Sequence, residues 1–207
     1  TLPREIQNQV GQLVRQMGTL CYWRGLLLEN EDMHHVGTLD IDLGLDAEAL
    51  GDGEYADLIE SLLRHGYHQR EALRRFQLVR KTECLDGGPP IDVIVDFLMP
   101  KDALIVKNKP PLIEDFAVQR ASGAELALQF NELVAISGVM PAGGTNTVEI
   151  AVCSIPALLA MKGHAIEGRL KHKDAYDIYY CVKHYSDGIE VLAEECKAIL
   201  HEQSAID

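Results

Sequence analysis

The run VGTLDIDLGLD at 36–46 alternates apolar and polar residues strictly through LDIDLGL, the period of a β-strand with one buried face. Residues two apart on a strand project to the same side, so Asp40 and Asp42 stand together while Ile41 and Leu43 face the other way. Two adjacent carboxylates repel one another, and in a half-buried position neither stays ionised cheaply without a cation or a hydrogen-bond network. Their oxygens are the hard donors that Mg2+ or Mn2+ takes, and magnesium keeps water and substrate phosphates in its other positions. A lone Asp-x-Asp is a weak signal. Gly37 and Thr38 ahead of the pair, and the apolar residues around it, mark a half-buried strand rather than an exposed turn. Asp46 reads as part of the turn that follows.

A second stretch repeats the logic. IDVIVDFLMP at 91–100 is the clearest strand in the chain, β-branched and bounded by Pro90 and Pro100. Asp92, Ile94, Asp96 and Leu98 share one of its faces. If the two strands are neighbours, a carboxylate from the second joins Asp40 and Asp42, and three carboxylates from two strands can clamp metal ions around a phosphoryl group. Read alone, Asp92 is equally a strand-end cap.

The remaining pattern surrounds these strands with helices. Residues 2–17 carry Ile6, Val10, Leu13, Val14 and Met17 at helical spacing, with Pro3 in the first turn. Residues 19–28, with Trp23 and Gly25, read as a strand or the start of a buried helix. A helix over 47–63 would bury Leu50, Leu58, Ile59, Leu62 and Leu63, with Gly51 and Gly53 delaying its start and Gly66 stopping it. A strand is expected near 76–79, a turn at CLDGGPP, weak signals over 102–131, then a turn at Gly143 and Gly144 and a strand over 147–152. From Ser154, a good N-cap followed by Pro156, the chain is helical, with two helices meeting around 168–173 and a last one over 188–202. The expected fold class is α+β: a mixed β-sheet flanked by helices over 1–152, with a helical C-terminal part over 153–207 packed on it.

Composition narrows the function classes. The chain has 207 residues, 47% hydrophobic and 25% charged, which suffices for a real core. The most apolar window, 150–161, is too short for a membrane span and is interrupted by Pro156. The polar opening TLPREIQNQV is unlike a signal peptide. Five cysteines are scattered with no Cys-x-x-Cys pair, so reduced thiols in a cytoplasmic protein are expected. A net charge of −13 argues against long duplex DNA and favours a small-molecule or metal–nucleotide ligand, or a basic partner. Local basic clusters lie at 70–80, read as a solvated helix face, and at 162–173.

GTLDIDLGL resembles the Thr-x-Asp-Ile-Asp-Leu signature of the nucleotidyltransferase superfamily, which includes DNA polymerase beta. LLAMKGHAIEGRLKHKDAYDIYYCV resembles the AbiEii-type toxin branch of that superfamily, through Lys162, Ala165, Arg169, Lys173, Asp174, Asp177, Ile178 and Tyr179. The two motifs stand in the expected order and span roughly 23–182. The resemblance implies transfer of a nucleoside monophosphate from a nucleoside triphosphate to an acceptor hydroxyl, with pyrophosphate released. It implies Asp40 and Asp42 as metal ligands, with Asp96 as the third carboxylate and Asp92 as the alternative. Lys162 would steady the phosphates, Gly25 and Thr38 would belong to the nucleotide-binding turn, and Asp177 would lie near the pocket or pack against Arg169. It further implies Mg2+ or Mn2+ as cofactor, a tRNA or protein acceptor, and an antitoxin partner. The turn ahead of the Asp pair departs from the family's double glycine, offering Gly25 alone after Arg24. The alternative expectation is therefore an inactive nucleotidyltransferase-fold module that binds or regulates.

Overall fold

The structure, a computed structural model, describes residues 21–22, 40–46, 54–70, 77–83, 89–103, 119–139, 144–169 and 171–201. In chain order its elements are β1 (Cys21–Tyr22), β2 (Asp40–Gly44), α1 (Glu54–Arg64), β3 (Gln77–Thr82), β4 (Ile91–Pro100) and β5 (Gln119–Ala121). They continue with α2 (Ala124–Gln129), β6 (Asn131–Val139), β7 (Thr145–Cys153), α3 (Ile155–Gly168), α4 (His172–Lys183) and α5 (Ile189–Ile199). The expected helix over 2–17, together with Gly25 and Thr38, lies outside the described residues.

β4 organises the strands that carry the carboxylates. Its β-branched sequence and length let it pair with three partners: β2 in parallel, β3 antiparallel, and β5 in parallel along its last residues. The β2–β4 register sets Asp42 opposite Asp96 and Ile41 opposite Val95. Period-two alternation then sorts the faces. Ile41, Leu43, Val93, Val95 and Phe97 are wholly buried on one side. Against that apolar side packs α1, whose Tyr55, Leu58, Ile59 and Leu62 recur at helical spacing and are buried. The Tyr55 ring meets Phe97 edge-on, with centroids 6.4 Å apart. Asp40, Asp42 and Asp96 occupy the opposite face.

A second sheet has the order β1-β7-β6, and β1 also lies beside β2, bringing the two sheets together. β6 was not expected from the sequence. Six of the seven β6 side chains that the structure describes are exposed or half-exposed and only Ile136 is buried, so the strand lacks the alternation that reveals β2. It exists because it pairs antiparallel with β7 along its whole length, where the hydroxyls of Ser137 and Thr147 also meet at 2.7 Å.

The helical third behaves as its sequence dictates. The Ser154 hydroxyl accepts a hydrogen bond from the Ala157 N–H at 3.3 Å and Pro156 occupies the first turn of α3. Ile155 and Leu158 of α3, Cys181 of α4 and Leu192 of α5 join the same apolar core as the strands. Ser154→Ala is expected to destabilise the protein by about 1 kcal/mol, read as a lower denaturant midpoint at unchanged m-value. Among the described residues no helix is long and apolar enough to cross a membrane.

Candidate active-site cleft

The carboxylate face of β2 and β4 is not covered by apolar packing. It borders a cleft of about 450 Å³ whose other walls come from β5, α2, α3 and the start of α4. Asp40, Asp42 and Asp96 line the sheet wall; Lys162, Arg169, Lys171 and Lys173 line the helical wall. Leu98, Ala127, Cys153 and Leu158 form apolar surface between them. Four of the nineteen Lys and Arg of this chain of net charge −13 thus stand on the helical wall, together with the carboxylate of Asp174, and Arg120 of β5 adds a fifth cation to the cleft lining.

Asp42 is the electrostatic centre of the sheet wall. Burial raises its carboxyl pKa; Lys162 across the cleft pulls it down, Asp40 pushes it up again, and Lys173 and Arg169 oppose the rise. The net direction is upward, so the nearby cations do not fully compensate this carboxylate. Asp96 accepts a hydrogen bond from the Gln77 side-chain amide at 2.7 Å, which orients it from the β3 side. Asp92 shares the face with Asp96 but lies one full four-residue step away. It is paired with Arg70 at 2.6 Å on the surface, opposite Lys81 in the β3–β4 ladder, and does not line the cleft. The guanidinium of Arg70 holds the Asp92 carboxyl below its ordinary pKa.

On the helical wall the Lys162 ammonium lies between two α4 carboxylates, 2.8 Å from Asp177 and 3.0 Å from Asp174. Both aspartates are buried, with side chains 0% and 3% exposed. Arg169 shares Asp174 at 3.1 Å, and Lys173 shares Asp177 at 3.2 Å. Burial works against the charged form of Lys162, yet the hydrogen bonds and charges of Asp177 and Asp174 outweigh it and leave its pKa raised. For Asp174 burial pushes upward, and bonds from Lys162 and Arg169 overcome it, so its pKa is lowered. Arg169 therefore packs against Asp174, while Asp177 takes Lys162 and Lys173.

The sequence pattern did not single out Arg120 or Asp174 as cleft residues of this kind. Arg120 reaches the cleft because β5 pairs with the end of β4, Met99 opposite Arg120, and one guanidinium nitrogen bonds the carbonyls of Pro100, Lys101 and Ala103. No local periodicity announces that placement. Asp174 was visible only as part of a motif; its burial follows from the packing of α4 on α3. Among the described residues no three His, Cys, Asp or Glu side chains are already gathered into a metal-ligand set.

A mixed α+β fold with this cleft is of the nucleotidyltransferase-like class. A family model described as the nucleotidyl transferase AbiEii toxin of type IV toxin–antitoxin systems matches residues 37–205, and the chain belongs to that family. The match begins just ahead of β2 and runs through α5, so it contains both walls of the cleft. Searches of curated proteins and of solved structures return no match.

Proposed function

We propose that the cleft carries out metal-dependent transfer of a nucleoside monophosphate from a nucleoside triphosphate to an acceptor hydroxyl. The observation that carries this reading is Asp42 in register with Asp96 on one wall, facing the cations of α3 and α4 on the other. Asp40, Asp42 and Asp96 would hold Mg2+ or Mn2+: their oxygens are the right donor type, and the incompletely compensated charge of Asp42 is what a divalent cation neutralises. When bound, the metal would polarise the reacting phosphoryl group and lower the pKa of an acceptor oxygen.

The chain's own residues supply orientation and field. Gln77 fixes Asp96. Lys162, held by Asp174 and Asp177, gives the helical wall a stationary positive charge facing the phosphates, which needs no rearrangement as charge shifts toward pyrophosphate. Gly25 and Thr38 would belong to the nucleotide-binding turn. The acceptor is a tRNA end or a protein hydroxyl, the partner an antitoxin protein, and the setting the cytoplasm.

Incubation with labelled nucleoside triphosphates, Mg2+ or Mn2+ and bulk tRNA tests this. The expected result is a labelled product that disappears with Asp42→Ala. Metal and nucleotide binding by calorimetry with no product from any nucleotide would sink the enzymatic reading and leave a nucleotide-binding regulatory module, the reading that the single glycine of the preceding turn favours.

A further inference from the structure

We propose that direct contact with the ligand's polyphosphate is made by the alternating cations Arg169 and Lys171 of the α3–α4 connection and Lys173 in the first turn of α4, with Lys162 acting as the internal counter-ion that holds that segment in place. The assignment rests on the nucleotide reading of the cleft.

Four cations line the helical wall, but they differ in what they can reach. Lys162 is 18% exposed, and its ammonium is engaged by two buried carboxylates on the neighbouring helix. Those two bonds hold it back against α4, and moving outward to meet a phosphate would leave Asp174 and Asp177 with less compensation in a buried site, which is costly. Arg169 and Lys173 touch the same carboxylates from outside, with side chains 41% and 47% exposed. Each can turn its solvent-facing donors to an anion while Asp174 and Asp177 keep Lys162. Lys171 stands between them at the N-cap of α4, exposed and lining the cleft.

Charge count supports the division. Lys162, Arg169 and Lys173 bring three positive charges to the two carboxylates of Asp174 and Asp177. The surplus, with Lys171 added, lies at the rim facing solvent. A ligand with several adjacent phosphate groups matches a row of cations two residues apart, whereas a single carboxylate or phosphate would engage only one of them. Arg169 adds a planar fork for two oxygens, and the lysines add flexible point charges.

The test is calorimetric titration with magnesium tripolyphosphate, which carries the phosphates without base, sugar or transfer chemistry. Lys171→Gln and Lys173→Gln are each expected to weaken binding about tenfold, Arg169→Gln by at least as much, with thermal stability of Lys171→Gln, which has no part in the Asp174–Asp177 pairs, unchanged. Lys197→Gln, an equal change of charge on α5 beside Glu194, is expected to bind as the parent does. Parent-like binding by all three rim variants would overturn the assignment, as would an equal loss in Lys197→Gln or no tripolyphosphate binding by the parent protein. Rim-dependent binding in a protein that transfers no nucleotide would leave the assignment standing and remove the transferase reading. Active transfer with rim-independent binding would do the reverse.

Discussion

Asp42→Asn is expected to lower nucleotidyl transfer by at least about a thousandfold while raising the melting temperature of the metal-free protein. On the proposed reading the activity loss follows from removing a ligand of the metal, since metal-centred charge stabilisation is worth several kcal/mol and each 1.36 kcal/mol is about tenfold in rate. The stability gain follows from the sign of the pKa shift. Burial, reinforced by Asp40, leaves the Asp42 carboxyl with a pKa above its ordinary 3.8 despite Lys162. A carboxyl with a raised folded-state pKa binds its proton more tightly in the folded chain than in the unfolded one. It thus favours folding below about pH 3.8, and that advantage is lost as pH rises through the folded-state value. Asparagine carries no such penalty, so the variant's advantage grows as pH rises from 3.8 toward the folded-state value and shrinks as pH falls back toward 3.8. Calorimetric scans with a chelator between pH 7 and pH 4 measure it. Added Mg2+ should raise the melting temperature of the parent and leave that of the variant nearly unmoved. A variant no more stable than the parent at pH 7 would mean that Asp42 is already compensated without metal.

The elements legible in the sequence are those whose signal is local. β2 and β4 declare themselves by alternation and β-branching, and the registered pair Asp42–Asp96 makes the expected shared face real. The end of α1 before Gly66, with φ +86°, and the Ser154 cap are both short-range chemistry. What escaped depends on partners distant in sequence. β6 is a strand because β7 lies beside it, and β5 and Arg120 come to the cleft only through the end of β4. The surroundings of Lys162 were half legible. Its place in the cleft follows from the motif, but its two-aspartate clamp depends on how α4 packs against α3, which no spacing within either helix encodes.

That clamp has a measurable stability. Lys162→Met is expected to destabilise the protein by about 3 kcal/mol, the low end for breaking a buried pair, because Arg169 and Lys173 still serve Asp174 and Asp177 from outside. The pH dependence separates this from a simple packing defect. The folded-state pKa of Asp174 is lowered, so its contribution is present above about pH 3.8 and is lost as pH falls through the folded value. The folded-state pKa of Lys162 is raised, so its contribution is full below about pH 10.5 and is lost as pH rises through the folded value. The gap between parent and variant should therefore be widest between these limits and narrow on the acid side, where a cavity effect would stay constant. Lys162→Met with Asp177→Asn removes one cation and one buried carboxylate together and should recover part of the loss. Urea unfolding of the two single variants and the double variant gives the coupling directly. Additive losses would mean that Lys162 and Asp177 do not tie α3 to α4. Strong coupling would mean that the wall facing Asp42 is held by the same ion pair that fixes its charge, so that loosening the pair both destabilises the fold and blurs the field at the cleft.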